Sequence, residues 1–148
     1  MHSLIPAAHV LLSSDASCKR ALIAEMVDYL PAMDVDVVLN VIMAREQLGS
    51  TGIGHGVAIP HGRLQALKVP VLAFARHARG VDFDAIDDAP VHMIILLLVP
   101  DNDDRAHLEL LAKLARSLQR KAFRDALMSA DSALEVSNLF SEESMGSL

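Results

Sequence analysis

The chain has 148 residues, 52% of them apolar, with 13 Lys plus Arg against 19 Asp plus Glu and a net charge of −6. That is one domain's worth of protein with ample material for a core, which excludes a disordered tail, a disulfide-stapled mini-protein and a long multidomain enzyme. An acidic chain with 3% aromatic residues and no Trp also lacks the basic face and stacking rings that nucleic-acid binding requires.

In chain order, the start Met1-His2-Ser3-Leu4-Ile5-Pro6 has no basic region of the secretory type. The single cysteine, Cys18, fits a reducing compartment. The longest apolar run, Met93 to Pro100, is far short of the roughly 20 residues of a spanning helix. A cytoplasmic protein with no membrane insertion is expected. Cys18 to Leu30 carries Leu22, Ile23, Met26, Val27 and Leu30 at helical spacing, with Asp15 or Ser14 as cap. Asp34 to Leu48 suits a strand by its valines, but its length, the Asp34 cap and the Val37/Val38/Val41/Ile42 face favour a helix. Val57 to Pro60 is a short strand end. Val69 to His77 and Val91 to Val99 are strands, the second apolar enough to be covered on both faces, with a short strand near Val81 to Phe83 between them. Asp103 or Asp104 caps a helix with a buried stripe of Leu108, Leu111, Ala112, Ala115 and Leu118, and helices follow at Ala122–Met128 and Ala133–Phe140. The alternation of helical and extended patterns predicts an α/β fold. Residues 1–140 read as a single domain and 141–148 as a frayed polar tail.

Charge and glycine are unevenly spread. Residues 51–80 carry Arg63, Lys68, Arg76 and Arg79 and no acid, whereas 81–104 carry seven Asp and no base. Five of the seven glycines lie between Gly49 and Gly62. Glycines beside hydroxyls can wrap an anion, but neither a Walker loop nor a dinucleotide fingerprint is present. Pro60 stiffens the backbone leading to His61, and Gly62 leaves the ring uncovered on the other side. A histidine so held, with an ordinary pKa of about 6.5, is suited to act as a nucleophile. His107 falls in the first turn of its helix, where the dipole favours an anion and a neutral imidazole. His2, His9, His77 and His92 read as bland, and the spacing of His55 and His61 matches no metal-site pattern, so no metal or other cofactor is predicted.

Arg45-Glu46, Ser50-Thr51-Gly52-Ile53-Gly54, Gly56-Val57-Ala58-Ile59-Pro60-His61-Gly62, and the downstream Leu96-Leu97-Leu98-Val99-Pro100 with His107-Leu108-Glu109-Leu110-Leu111-Ala112 resemble the signature of the fructose/mannitol-type IIA domains of the bacterial phosphoenolpyruvate:sugar phosphotransferase system. The resemblance runs from about Leu4 to Phe140. It implies a mixed central sheet of about five strands flanked by helices on both faces. It also implies a cofactor-free phosphocarrier, charged on a histidine by an HPr-type histidine phosphocarrier protein. By position His61 matches the phosphorylated histidine, His107 the second active-site histidine and Arg45 the arginine facing the phosphate. Ser50 and Thr51 match the loop bordering the site. The acidic run before His107 departs from the pattern, and His55 receives no role.

A chain of this length has room for neither a IIB nor a membrane IIC unit, and its motif pattern looks more like the nitrogen-regulatory branch of the family. That resemblance implies a readout by protein binding, on sensor kinases or potassium-transport proteins. The alternatives are a sugar-specific IIA passing phosphate to a IIB unit and a binding-only regulator with the same fold.

Overall fold

The run Val91–Pro100 is apolar at both parities, and it becomes β6, the strand on which the rest is assembled. Successive strand side chains point to opposite faces. Ile94, Leu96 and Leu98 therefore enter one core cluster, and Met93, Ile95, Leu97 and Val99 enter another. The computed structural model describes residues 3–30, 33–102, 104–141 and 144–145. Its elements are β1 (Val10–Ser14), α1 (Lys19–Asp28), α2 (Val35–Leu48), β2 (Gly52–Gly54), β3 (Val57–Ala58), β4 (His61–Leu64), β5 (Val71–Val81), β6, α3 (Asp104–Gln119), α4 (Lys121–Ser129) and α5 (Ala133–Leu139), after a short 3-10 turn at Ala7–His9.

The sheet is mixed and has six strands in the order β1-β5-β6-β3-β2, with β4 also on β6. β1 is parallel to β5, β5 antiparallel to β6, β3 and β4 parallel to β6, and β2 antiparallel to β3. β3 and β4 run along the same edge of β6, Val57 opposite Met93 and His61 opposite Leu97. They are separate strands because Pro60 has no N–H to donate, although its carbonyl still accepts from the Leu97 amide at 2.9 Å. One face of the sheet is covered by α1 and α2 through Leu22, Ile23, Met26, Val38 and Ile42. The other is covered by the later helices through Leu114, Leu118, Phe123, Leu127 and Val136. The predicted α/β architecture with helices on both faces is the one observed.

Several local readings change. The expected strand Val69–His77 is β5, which begins at Val71 and runs on to Val81 with a register irregularity between Arg76 and Val81, whereas Asp82 and Phe83 of the second expected strand lie beyond it. β1, β2 and β4 have no counterpart in the periodicity. α1 is capped by Cys18, whose Sγ accepts from the Ala21 amide at 3.5 Å. Ser14 instead ends β1 and donates to Glu25 Oε1 at 2.6 Å. α2 is capped by Asp34 as expected. Asp103 lies outside the described residues, and α3 begins at Asp104. The buried face of α3 is His107, Leu114, Ser117 and Leu118, whereas the expected Leu108 and Ala112 are exposed. The stripe is displaced because two polar residues take inward positions that a hydrophobic pattern cannot see. In the expected tail, Ser141 bridges to Ser3 and is buried, as is Met145. No helix among the described residues is long and apolar enough to cross a membrane.

Candidate functional site

β4 is an edge strand, and its four residues alternate in purpose. Gly62 and Leu64 face α2. A Cβ at Gly62 would stand 2.7 Å from Val41 Cγ1 and 3.1 Å from Ile42 Cδ1, so this glycine allows α2 to pack onto the strand. That close approach, rather than uncovering of the His61 ring, is its role. His61 and Arg63 occupy the alternate positions and meet α3. The His61 and His107 rings lie 5.4 Å apart between centroids, inclined at 70°. One strand step of two residues on, Arg63 forms an ion pair with Asp104, three residues before His107 on the same helix face.

His61 is the first residue of β4, immediately after the Pro60 break. Its Nδ1 is 2.7 Å from the Ile59 carbonyl oxygen. A carbonyl can only accept, so Nδ1 carries the proton and Nε2 carries the lone pair. His107 is 7% exposed, and neither of its ring nitrogens has a hydrogen-bond partner among the described residues. A buried polar atom left open in this way is available to an ordered water or to a bound group.

The two rings border a cleft of about 430 Å³ lined also by Val41, Arg45, Gly62, Arg63, Leu108 and Leu111. Burial holds the His61 pKa below its ordinary 6.5. The charges of Arg45 and Arg63 push the same way, and the Ile59 carbonyl and the Glu46 carboxylate push back. Burial also lowers His107, joined by His61 and Arg63 and opposed by Asp104. Both imidazoles are therefore kept neutral near pH 7: one offers a lone pair, and the other can donate an N–H to an anion.

Arg45 is half-buried in the last turn of α2 and donates to the Gly49 carbonyl at 2.8 Å. This cation at a helix C-terminus is in a favourable position, and Arg45 also lines the cleft. Ser50 and Thr51 do not line it. The Ser50 hydroxyl donates to the Phe83 carbonyl and accepts from the Gly52 amide at 3.0 Å. The buried Thr51 hydroxyl donates to Glu46, and Glu46 also pairs with Lys19 Nζ at 2.8 Å. The expected loop residues thus brace the end of α2 from behind. The structure brings together His61, His107 and Arg45 and adds Arg63, Val41, Leu108 and Leu111, which sequence reasoning missed. For Arg63 a signal existed, because two residues beyond His61 on a strand is the same face.

Residues 3–143 match the family described as "Phosphoenolpyruvate-dependent sugar phosphotransferase system, EIIA 2", and the chain belongs to that family of phosphocarrier domains. Among its relatives, a nitrogen regulatory protein of Pseudomonas aeruginosa is 46% identical over 104 residues, 70% of this chain and 68% of that one. A fructose-specific EIIA component of Haloferax volcanii is 39% identical over 109 residues, 74% of this chain and 71% of that one. The crystal structure of nitrogen regulatory protein IIA-Ntr from Neisseria meningitidis superposes with a TM-score of 0.88 at 40% identity, covering 93% of this chain and 97% of that one.

Proposed function

We propose that this EIIA domain accepts a phosphoryl group on Nε2 of His61 from an HPr-type histidine phosphocarrier, in the cytoplasm, as the terminal component of the nitrogen-related phosphotransferase cascade. The observation that carries the reading is the 2.7 Å contact of His61 Nδ1 with the Ile59 carbonyl, which leaves the Nε2 lone pair free beside His107 and Arg45. Phosphoryl transfer between two imidazoles asks the protein for in-line placement and donors around the moving oxygens. The His61 Nε2 lone pair forms the new P–N bond while the P–N bond to the donor imidazole breaks, and the donor ring keeps that electron pair. Nδ1 retains its proton against Ile59, so the ring turns cationic beneath the phosphoryl dianion. The Arg45 guanidinium supplies a charged fork and His107 a neutral donor for the phosphoryl oxygens. Ser50 and Thr51 act indirectly, by fixing the loop that follows Arg45.

The nitrogen-related assignment is supported by the nitrogen regulatory relatives from Pseudomonas and Neisseria, and the downstream readout would be binding to sensor kinases or potassium-transport proteins. The fructose-specific relative supports a second reading, in which the phosphoryl group passes on to a sugar-specific IIB unit. The test is incubation with phosphoenolpyruvate and the general phosphotransferase proteins, followed by intact mass and phosphopeptide mapping. The expected result is one phosphoryl group, acid-labile and base-stable, on His61. No gain under conditions that charge a control EIIA, or a group on another histidine, overturns the proposal. Onward transfer to a fructose-type IIB unit would favour the second reading.

A further inference from the structure

The described cleft leaves one charged pair without a task. Arg63 lines the cleft and pairs with Asp104, in the same arrangement as His61 and His107: positions 61 and 63 of β4 stand opposite positions 107 and 104 of α3. Residues two apart on a strand are about 6.6 Å apart along it, within the reach of an arginine side chain. Arg63 lines the same cleft as His61, and its charge acts on both imidazoles. Its side chain is 44% exposed and that of Asp104 69%, so the pair is open to solvent and contributes little to stability. Asp104 also has a second source of stabilisation, because an acidic side chain in the first turn of α3 complements the helix dipole. It can be left by Arg63 without being stranded.

We propose that Arg63 is a second phosphoryl-binding cation of this site, held in reserve by Asp104, and that phosphorylation of His61 exchanges the Asp104 carboxylate for the phosphoryl oxygens. The inference rests on His61 being the acceptor. A dianion on Nε2 outcompetes a solvent-exposed monoanion for a planar fork donor, since guanidinium binds phosphate oxygens through paired charge-assisted hydrogen bonds. Asp104 then sets the affinity of the site for the phosphoryl group: it competes for Arg63 in the empty state and repels the group in the loaded state. The same exchange releases the tie between β4 and the first turn of α3 and so couples the charge on His61 to the surface around Leu108.

The experiment measures, by intact mass, the equilibrium of the phosphoryl group between an HPr-type carrier and this protein at fixed amounts of each. Wild type, Arg63→Ala, Asp104→Asn and the double variant are compared, with thermal melting as the check of folding. Arg63→Ala is expected to shift the equilibrium away from His61 on the order of tenfold to a hundredfold, the effect of one hydrogen bond to a charged group. Asp104→Asn should shift it toward His61 by about twofold to fivefold, as expected for an exposed pair. The double variant should stay within about twofold of Arg63→Ala, because the competition ends once Arg63 is gone and only the screened repulsion between Asp104 and the phosphoryl group is left. A purely structural ion pair would make both single variants shift the same way. That result, or an unmoved equilibrium in either single variant, overturns the proposal. A wild-type protein that gains no phosphoryl group, or gains it elsewhere, instead removes the acceptor assignment and takes this inference with it.

Discussion

The polar groups on the two sides of the α2 C-terminus are treated in opposite ways. Behind it, Lys19, Glu46, Thr51 and the Phe83 carbonyl form a closed network in which the Glu46 carboxylate has a cation, a hydroxyl and the Thr51 amide. In front of it, neither ring nitrogen of His107 has a partner among the described residues, His61 lines the cleft, and Arg45 bonds one carbonyl while lining the same cleft. Adjacent residues of one helix, Arg45 and Glu46, thus serve opposite ends. Buried polar groups with full partners hold a loop in one geometry, whereas polar groups left open beside a cleft can be met by water or by a bound anion. The first region is read as scaffold and the second as site, although both come from the same short motif.

The strongest way to break this division is at the open side. His61→Ala should abolish phosphoryl gain completely while leaving the thermal melt close to wild type, because a half-buried ring at a sheet edge contributes little packing. His107→Ala should slow transfer on the order of tenfold to a thousandfold, the range for losing one oriented donor. His107→Gln should fall between, since an amide N–H can replace an imidazole N–H. Rapid-quench measurement of single-turnover transfer checks the order. Equal rates for the three proteins would return His107 to the scaffold.

The closed side should answer through stability instead. Glu46→Ala leaves Lys19 and Thr51 without their partner in a site where the Glu46 side chain is 2% exposed. Removing one member of a buried pair costs about 3–5 kcal/mol, and Lys19, 15% exposed, can turn partly to water, which places the expected loss near 3 kcal/mol by denaturant titration. Transfer by the protein that remains folded should drop far less than in His107→Ala. A Glu46 variant with unchanged stability and lost transfer would reverse the assignment of the two regions.

Much of this was legible in the residues. The unbroken apolar character of Val91 to Val99 predicted a strand buried on both faces, and the Asp34 cap predicted where α2 begins. The motif residues placed His61, His107 and Arg45 together. What escaped had physical causes. Ser50 and Thr51 sit in a glycine-rich loop beside the site, and sequence cannot tell a hydroxyl aimed at a ligand from one tied to Phe83 or Glu46. Gly62 looked like open space around a ring and is instead a helix contact. His107 and Ser117 are polar yet inward, and Leu108 is apolar yet 63% exposed because it rims the cleft, so the stripe of α3 held at Leu118 but not at Leu108 and Ala112. β2 and β4 are only three and four residues long, too short for periodicity to register.

The smallest expected effect separates charge from geometry within the open side. His61 and His107 both have pKa values held below 6.5, chiefly by burial. The unfolded chain therefore binds protons that the folded chain refuses as the pH drops below about 6.5, and stability rises with pH wherever the unfolded state holds more protons. Acidification from pH 7 should consequently destabilise wild type more than a His61→Gln, His107→Gln double variant, by an increment that is absent above the unfolded pKa and complete only below the folded ones. The pH profile of transfer should likewise have its acid limb below the ordinary histidine value, because only neutral His61 has the Nε2 lone pair. Arg45 contributes to that displacement as well as to phosphoryl binding. Arg45→Ala removes its charge and should move the His61 midpoint upward, toward 6.5, in an NMR titration of the ring. Arg45→Lys keeps the charge and should leave the midpoint nearly in place, yet it loses the planar fork and should still slow transfer. A lysine variant that transfers at the wild-type rate would mean that Arg45 acts on the site only as a point charge, and that any paired hydrogen bonds to the phosphoryl group come from elsewhere in the cleft.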